Sequence, residues 1–321
     1  MKKLVMTAII LASLAIAGEA FIFATQKENV EDTHKKAVRA DYRIYAPTLP
    51  DTLYFAGERV PMDIFYVREA LDRELMSNMY FQSNTLGCVK RAGRYFPIIE
   101  PILKKNGIPD DFKYLCVIES GLKNVTSPAQ AQGFWQFIKS TGANYGLEIN
   151  DEIDMRNDVV ASTEAACKYL KSLKNQFGNW TSAAAAYNCG ENGLNRRLNR
   201  EGVKSYYDVR LNAETSRYVF RILALKLIMQ NLQDYGYYVR KCDLYPPLTY
   251  TTKTLSGKDV DLYDFAKQCG CTYKALRMYN PWITTDKLKN KSGKTYTVKI
   301  PKTIKQKDLQ GNKNAELIKG I

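Results

Sequence analysis

Residues 109–137 read PDDFKYLCVIESGLKNVTSPAQAQGFWQF, and how this stretch divides decides the rest of the reading. Pro109-Asp110-Asp111 opens a helix, because proline suits a first turn and acids favour its positive end. Leu115 and Ile118 supply an apolar side, and Ser120-Gly121 closes the segment. Glu119 therefore falls on the last turn of an apolar helix, beside Cys116, Val117 and Ile118. The unpaired carbonyls of that turn oppose a second negative charge, and burial opposes it too. Both effects raise the pKa of Glu119 and suit it to donate a proton near neutrality.

Working outward, the flanking sequence is mostly helical. Met62 to Met76 and Pro97 to Lys105 carry apolar residues at helical spacing, and Asn106-Gly107 ends the second. Val159, Thr163, Ala166, Leu170, Leu173 and Phe177 step by 4, 3, 4, 3 and 4 until Gly178 stops the run. Trp180 to Tyr187 (WTSAAAAY) is small and apolar, as a tightly packed central helix requires, and Ser216 to Leu232 is a long amphipathic helix. Residues 51–235 read as one helical domain. Pro246-Pro247 marks a linker. Residues 248–302 then run strand, helix, helix, strand, with Tyr296, Val298 and Ile300 alternating. The fold class expected is mainly α, a helical domain followed by a small α+β (βααβ) domain. The Lys-rich tail, 303–321, is expected to be loose.

The start of the chain reads as an export address. Met1-Lys2-Lys3 is basic, Leu4 to Ala17 is apolar, and Ala15-Ile16-Ala17 gives small residues for cleavage. A signal peptide over 1–17, or to about residue 24, is expected, then a polar tether over 25–50. An uncleaved anchor in the envelope is the alternative. Seven cysteines are an odd number, so at least one stays unpaired or pairs between chains. Cys116, Cys167 and Cys189 fall on apolar helical stretches, where small buried thiols are expected.

Composition narrows the chemistry. His34 is the single histidine, which sets aside a His-based triad, a multi-His metal site and a His general base. Acid–base work then falls to carboxylates, Tyr, Lys or Cys. Neither metal nor organic cofactor is implied. Lys plus Arg is 47 against 33 Asp plus Glu, a net +14 that is spread over both domains. With export, that charge points away from nucleic acid and toward an extracellular polyanion.

Four segments carry the functional signal together: Ile118-Glu119-Ser120-Gly121; Ser127-Pro128-Ala129 with Gly133-Phe134-Trp135-Gln136-Phe137; Ala185-Ala186-Tyr187-Asn188-Cys189-Gly190; and Glu214-Thr215-Ser216-Arg217-Tyr218-Val219. Their order and spacing resemble the soluble lytic transglycosylase family of lysozyme-like enzymes, from about Phe55 to Leu227. The resemblance implies a lysozyme-like catalytic domain that cleaves the bond between N-acetylmuramic acid and N-acetylglucosamine without water, leaving 1,6-anhydromuramic ends. It makes Glu119 the single catalytic acid and base. It places Ser127, Gln136 and the Tyr187-Asn188 pair on the sugar groove, with Tyr187 hydrogen-bonding the catalytic carboxyl, and turns Glu214 toward the peptide stem. Ser120, Trp135 and Ile138 support the site, and Trp135 either packs beneath it or stacks on a sugar. The stretch from Glu119 to Ser127 is one residue shorter than in typical relatives, Ile138 replaces a common methionine, and Cys189 replaces an alanine.

Leu255 to Pro301, with Leu262-Tyr263-Asp264-Phe265-Ala266 and Tyr279-Asn280-Pro281, resembles a LysM glycan-binding module, although Ser256-Gly257-Lys258-Asp259 replaces its usual start. The partner implied is the glycan strand of peptidoglycan, the location the cell envelope, most simply the periplasm, and the state a monomer. Two other functions fit the same motifs. A hydrolytic muramidase needs a second carboxylate, for which Asp110, Asp111, Asp151, Glu152, Asp154 and Glu191 are candidates by composition alone. A non-catalytic wall-binding scaffold would have no use for an intact Glu119.

Overall fold

The structure is a computed structural model that describes residues 35–36, 44–291, 293–302, 305 and 315–321. Residues up to 46 cluster as a unit of their own, and residues from Pro47 onward form a second compact unit. The signal segment, His34 and most of the tether lie outside the described residues. Among those described, no helix is long and apolar enough to cross a membrane.

The second unit opens with a hairpin where helix was expected. β1 (Leu53–Phe55) pairs antiparallel with β2 (Glu58–Val60), Leu53 opposite Val60. Ala56 and Gly57 turn the chain with φ of 51° and 81°, and Asp111 holds the turn by accepting from Ala56 N at 2.7 Å. Each strand has three residues, too few to reveal a period of two.

Helices follow: α1 (Phe65–Tyr80), α2 (Gln82–Lys105), α3 (Phe112–Ser120), α4 (Lys139–Asn144), α5 (Val159–Phe177), α6 (Trp180–Cys189), α7 (Glu191–Glu201) and α8 (Ala213–Gln230). α2 starts well before Pro97, where the sequence pattern had begun it. Pro97 and Pro101 sit on its exposed face, so the carbonyls they leave without N–H partners can turn to water. α5 has the bounds that its periodicity predicts. Asp158 accepts from Val160 N and Ala161 N as its N-cap, and Gly178 ends it in the left-handed region.

α3 lies in the middle of the domain, with Phe112 to Val117 all buried. α8 packs across both α1 and α3, while α6 packs on α5 and α8. Ala183, Ala184, Ala185 and Ala186 are fully buried. Their small side chains let α6 approach its neighbours closely, which a longer residue would prevent.

The C-terminal module is built on β3 (Tyr250–Leu255) and β6 (Tyr296–Pro301), antiparallel with Leu255 opposite Tyr296. Between them run β4 (Val260–Asp261), α9 (Leu262–Gln268), α10 (Tyr273–Tyr279) and β5 (Lys287–Leu288), with β4 paired to β5. Leu262, Leu276, Val298 and Ile283 form its core, and Ile153 of the helical domain is buried in the same cluster.

The end of the chain corrects one expectation. Residues 315–321 are not loose. Lys241 N donates to Glu316 O, and Ile318 N to Val239 O, as a short antiparallel pairing. Leu232 N then donates to Lys319 O, and Ile321 N to Met229 O, at the end of α8. Gly320 lies so close that a Cβ there would be 2.2 Å from Gln230 O. The apolar residues Ile318 and Ile321, packed on the main core, outweigh the lysines that made this segment look solvated.

Candidate active site

Glu119 stands on the last turn of α3, which Gly121 stops with φ of 59°. Its side chain is partly buried. Ser120, beside it, donates to Phe134 O at 2.9 Å, and the Cys116 thiol donates to the same carbonyl at 3.4 Å. These bonds hold the 133–137 turn against the end of α3. Gly133 makes that turn possible: its φ is 80°, and a Cβ would lie 1.9 Å from Arg156 O.

The Tyr218 hydroxyl donates to Glu119 Oε1. This corrects the expectation that Tyr187 would hold the carboxyl. Tyr187 instead donates to Trp135 O at 2.7 Å, a backbone acceptor inside the same turn that needs a partner once buried. Tyr187 remains close enough that the Glu119 charge adds to burial in pushing its pKa up. Tyr218 belongs to the fourth motif, where the sequence alone gives it no role. The available signal was spacing, since Glu214, Tyr218 and Arg221 share one face of a helix.

Burial raises the pKa of Glu119 from 4.5 to about 7. The Tyr218 hydrogen bond and the Arg221 charge pull it down, while the charge of Glu214 pushes it up. A carboxyl poised there holds its proton through much of the neutral range and still has a stabilised ionised form. That is the requirement for one group that gives a proton and later takes one.

Residues 96–209 match the family model described as Transglycosylase SLT domain. The chain carries an SLT domain. Residues 251–304 match the Soluble lytic transglycosylase C-terminal LysM-like domain. Among curated proteins, the chain is 32% identical over 303 residues to membrane-bound lytic murein transglycosylase D of Escherichia coli K12, an alignment covering 90% of this chain. The identity and coverage are the same for the protein of that name from Escherichia coli O6:H1 strain CFT073. The chain spans 62% of the length of these relatives.

The other expected site residues divide into two groups. Asn188 stands at the end of α6, and Glu214, on α8, is close enough for its charge to act on Glu119. Asn188 Oδ1 accepts from Thr215 Oγ1 at 2.9 Å, joining the end of α6 to the start of α8. Glu214 is salt-bridged to Arg221, whose guanidinium sits 5.8 Å from the centre of the Tyr218 ring. Trp135 is fully buried and donates from Nε1 to Thr163 Oγ1 at 2.9 Å. A ring buried on every side has no face open for stacking on a sugar.

Ser127, Gln136 and Ile138 belong to the 124–138 loop. Ser127 Oγ accepts from Ala131 N at 3.0 Å, closing a turn. Gln136 has φ of 48° and donates from Nε2 to Gly133 O at 2.7 Å and Val125 O at 3.0 Å. Both side chains thus shape the loop itself. Ile138 is exposed at its end.

The side chains of four of the six carboxylates considered as a second catalytic group have other partners. Asp110 pairs with Lys113, Asp111 with Lys226, and Asp154 with the buried Arg156. Glu152 accepts from the backbone of Lys289 and Asn290. Asp151 uses its backbone carbonyl to accept from Thr284, and Glu191 lies in the first turn of α7. Cys88, Cys116 and Cys167 are buried free thiols, Cys189, Cys269 and Cys271 are partly buried, and Cys242 is exposed.

Proposed function

We propose that this protein is a peptidoglycan lytic transglycosylase with Glu119 as its single acid and base. The observation that carries the reading is the raised pKa of that carboxyl, about 7, with an uncharged donor, Tyr218, on one oxygen. The matching SLT model and the name of the curated relatives supply the reaction class.

Protonated Glu119 gives its proton to the oxygen that links N-acetylmuramic acid to N-acetylglucosamine, and the bond from that oxygen to the muramic anomeric carbon breaks. Positive charge builds at the anomeric carbon, relieved by the sugar's own N-acetyl oxygen. Glu119, now ionised, is stabilised by the Tyr218 hydroxyl and the Arg221 charge. It then takes the proton of the muramic C6 hydroxyl, whose oxygen bonds to the anomeric carbon. The product is a 1,6-anhydro end. The proton count closes without water, and a second carboxylate is not required. Ser127, Gln136, Tyr187, Asn188 and Glu214 line or shape the surface that receives the glycan, and Glu214 lies toward the peptide stem.

The substrate places the protein in the cell envelope, with peptidoglycan as its partner rather than nucleic acid. A net charge of +14 favours contact with the carboxylates of peptide stems at low salt. Digestion of purified sacculi by the wild type and by Glu119→Gln tests the proposal. The variant should bind walls and fail to release soluble fragments; equal digestion by both proteins would remove Glu119 from the mechanism.

A further inference from the structure

The C-terminal module is fastened to one segment of the SLT domain, residues 148–158. Ile153 and Ile283 form an antiparallel bridge. Asp154 N donates to Trp282 O at 2.7 Å, and Thr284 N to Glu152 O at 2.8 Å. The Glu152 carboxylate accepts from Lys289 N at 2.6 Å and Asn290 N at 3.2 Å. Lys299 Nζ reaches Asp158 Oδ2 at 3.0 Å. These are backbone and charge-assisted bonds around a shared apolar centre, since Ile153 is 1% exposed within the module's core.

The opposite side of the same segment holds the 124–138 loop. Arg156 is buried and paired with Asp154, Nη2 to Oδ2 at 2.6 Å. Its Nη1 donates to Gln130 O and Phe137 O, each at 3.0 Å, so it spans the loop from both ends. Asn124 Nδ2 donates to Asn157 O at 3.0 Å, and Arg156 O fills the space that Gly133 leaves. The loop in turn meets the catalytic end of α3 through Ser120 and Phe134.

We infer that the C-terminal module positions the 124–138 loop: by docking on residues 150–154 it fixes Asp154, which fixes Arg156, which sets the loop facing the glycan. Glu152 and Arg156 are positioning residues in this arrangement, and the module works in catalysis without touching the reacting sugar. A loop displaced by an ångström weakens binding of the sugar while the carboxyl keeps its own surroundings. This rests on the proposed reaction, but part of its test does not.

The test uses the full chain with Glu152→Ala and Lys299→Ala combined, and Glu152→Gln as the conservative variant. Hydrogen exchange is read first, without substrate. Amides of 124–138 should exchange faster in the double variant, while those of α5 and α6 keep their protection. Kinetics follow on a soluble four-sugar peptidoglycan fragment. KM should rise about fivefold or more with the pH dependence of kcat unchanged, and Glu152→Gln should recover part of the loss by keeping one acceptor oxygen.

Three results would overturn the inference: faster exchange confined to 282–290, an unchanged KM on the fragment, or a loss seen only on whole sacculi, which would make the module a wall anchor. Failure of the reaction assignment would show separately, as an active Glu119→Gln.

Discussion

Replacing Glu119 by Gln should stabilise the protein, and only at high pH. Glu119 is neutral up to about pH 7 when folded, against 4.5 for an ordinary glutamate. Folding therefore favours the protonated form. Below pH 4.5 the group is protonated in both states, and a glutamine of the same shape, still able to accept from Tyr218, changes little. As pH rises toward 7, the unfolded chain ionises while the folded one does not, so the wild type loses stability that the variant keeps. The gap is complete above the folded value. A difference of 2.5 units, from 4.5 to about 7, is worth about 3 kcal/mol at about 1.4 kcal/mol per unit. For a domain of this size, at about 2–4 °C per kcal/mol, that corresponds to about 6–12 °C in Tm. Thermal unfolding of both proteins at pH 4, 6 and 8, followed by tryptophan fluorescence, reads it directly. Equal Tm values at pH 4 with a higher Tm for the variant at pH 8 are expected. A gap that is the same at all three values, or that favours the wild type at pH 8, would refute the picture of a buried, proton-holding carboxyl.

Further outcomes follow from other contacts of the site. Tyr218→Phe removes the donor to Glu119 but keeps the ring; a hydrogen bond to a charged group is worth about 1.5–3 kcal/mol, so the pKa should rise by about one to two units. The alkaline limb of the kcat/KM profile should move up by that amount while kcat falls. Gly133→Ala must place a Cβ 1.9 Å from Arg156 O at a φ of 80°. It should cost about 2–4 kcal/mol in urea unfolding, against about 1–2 kcal/mol for Gly178→Ala, which bears only the left-handed backbone strain because nothing lies within 4 Å of an added Cβ. Gly320→Ala would put a methyl group 2.2 Å from Gln230 O. It should expose residues 315–321 to protease without altering sacculus digestion.

Much of this was readable from the chain, for identifiable reasons. α5 declared itself because Asp158, Gly178 and a regular apolar stripe agree on its ends. Glu119 stood out because an acid on the last turn of an apolar segment is a local conflict. The early hairpin did not, since three-residue strands carry no period. The first half of α2 was hidden by polar residues and by prolines that resembled a start. Choosing between Tyr187 and Tyr218 needed the rotation of α8 over α3, which is a property of packing. The docking segment left one trace: Ile153 is an isolated apolar residue in the run Asn150-Asp151-Glu152-Ile153-Asp154. Its partner, Ile283, lies far along the chain, so sequence alone offered no means of joining them.

In the proposed reaction the muramic C6 oxygen, and not water, replaces the departing sugar. Digestion of purified sacculi in water enriched in the heavy oxygen isotope, with the released ends weighed by mass spectrometry, decides it. Anhydro ends with no heavy oxygen are expected. Reducing muramic ends carrying the label would contradict it and make the enzyme a hydrolase.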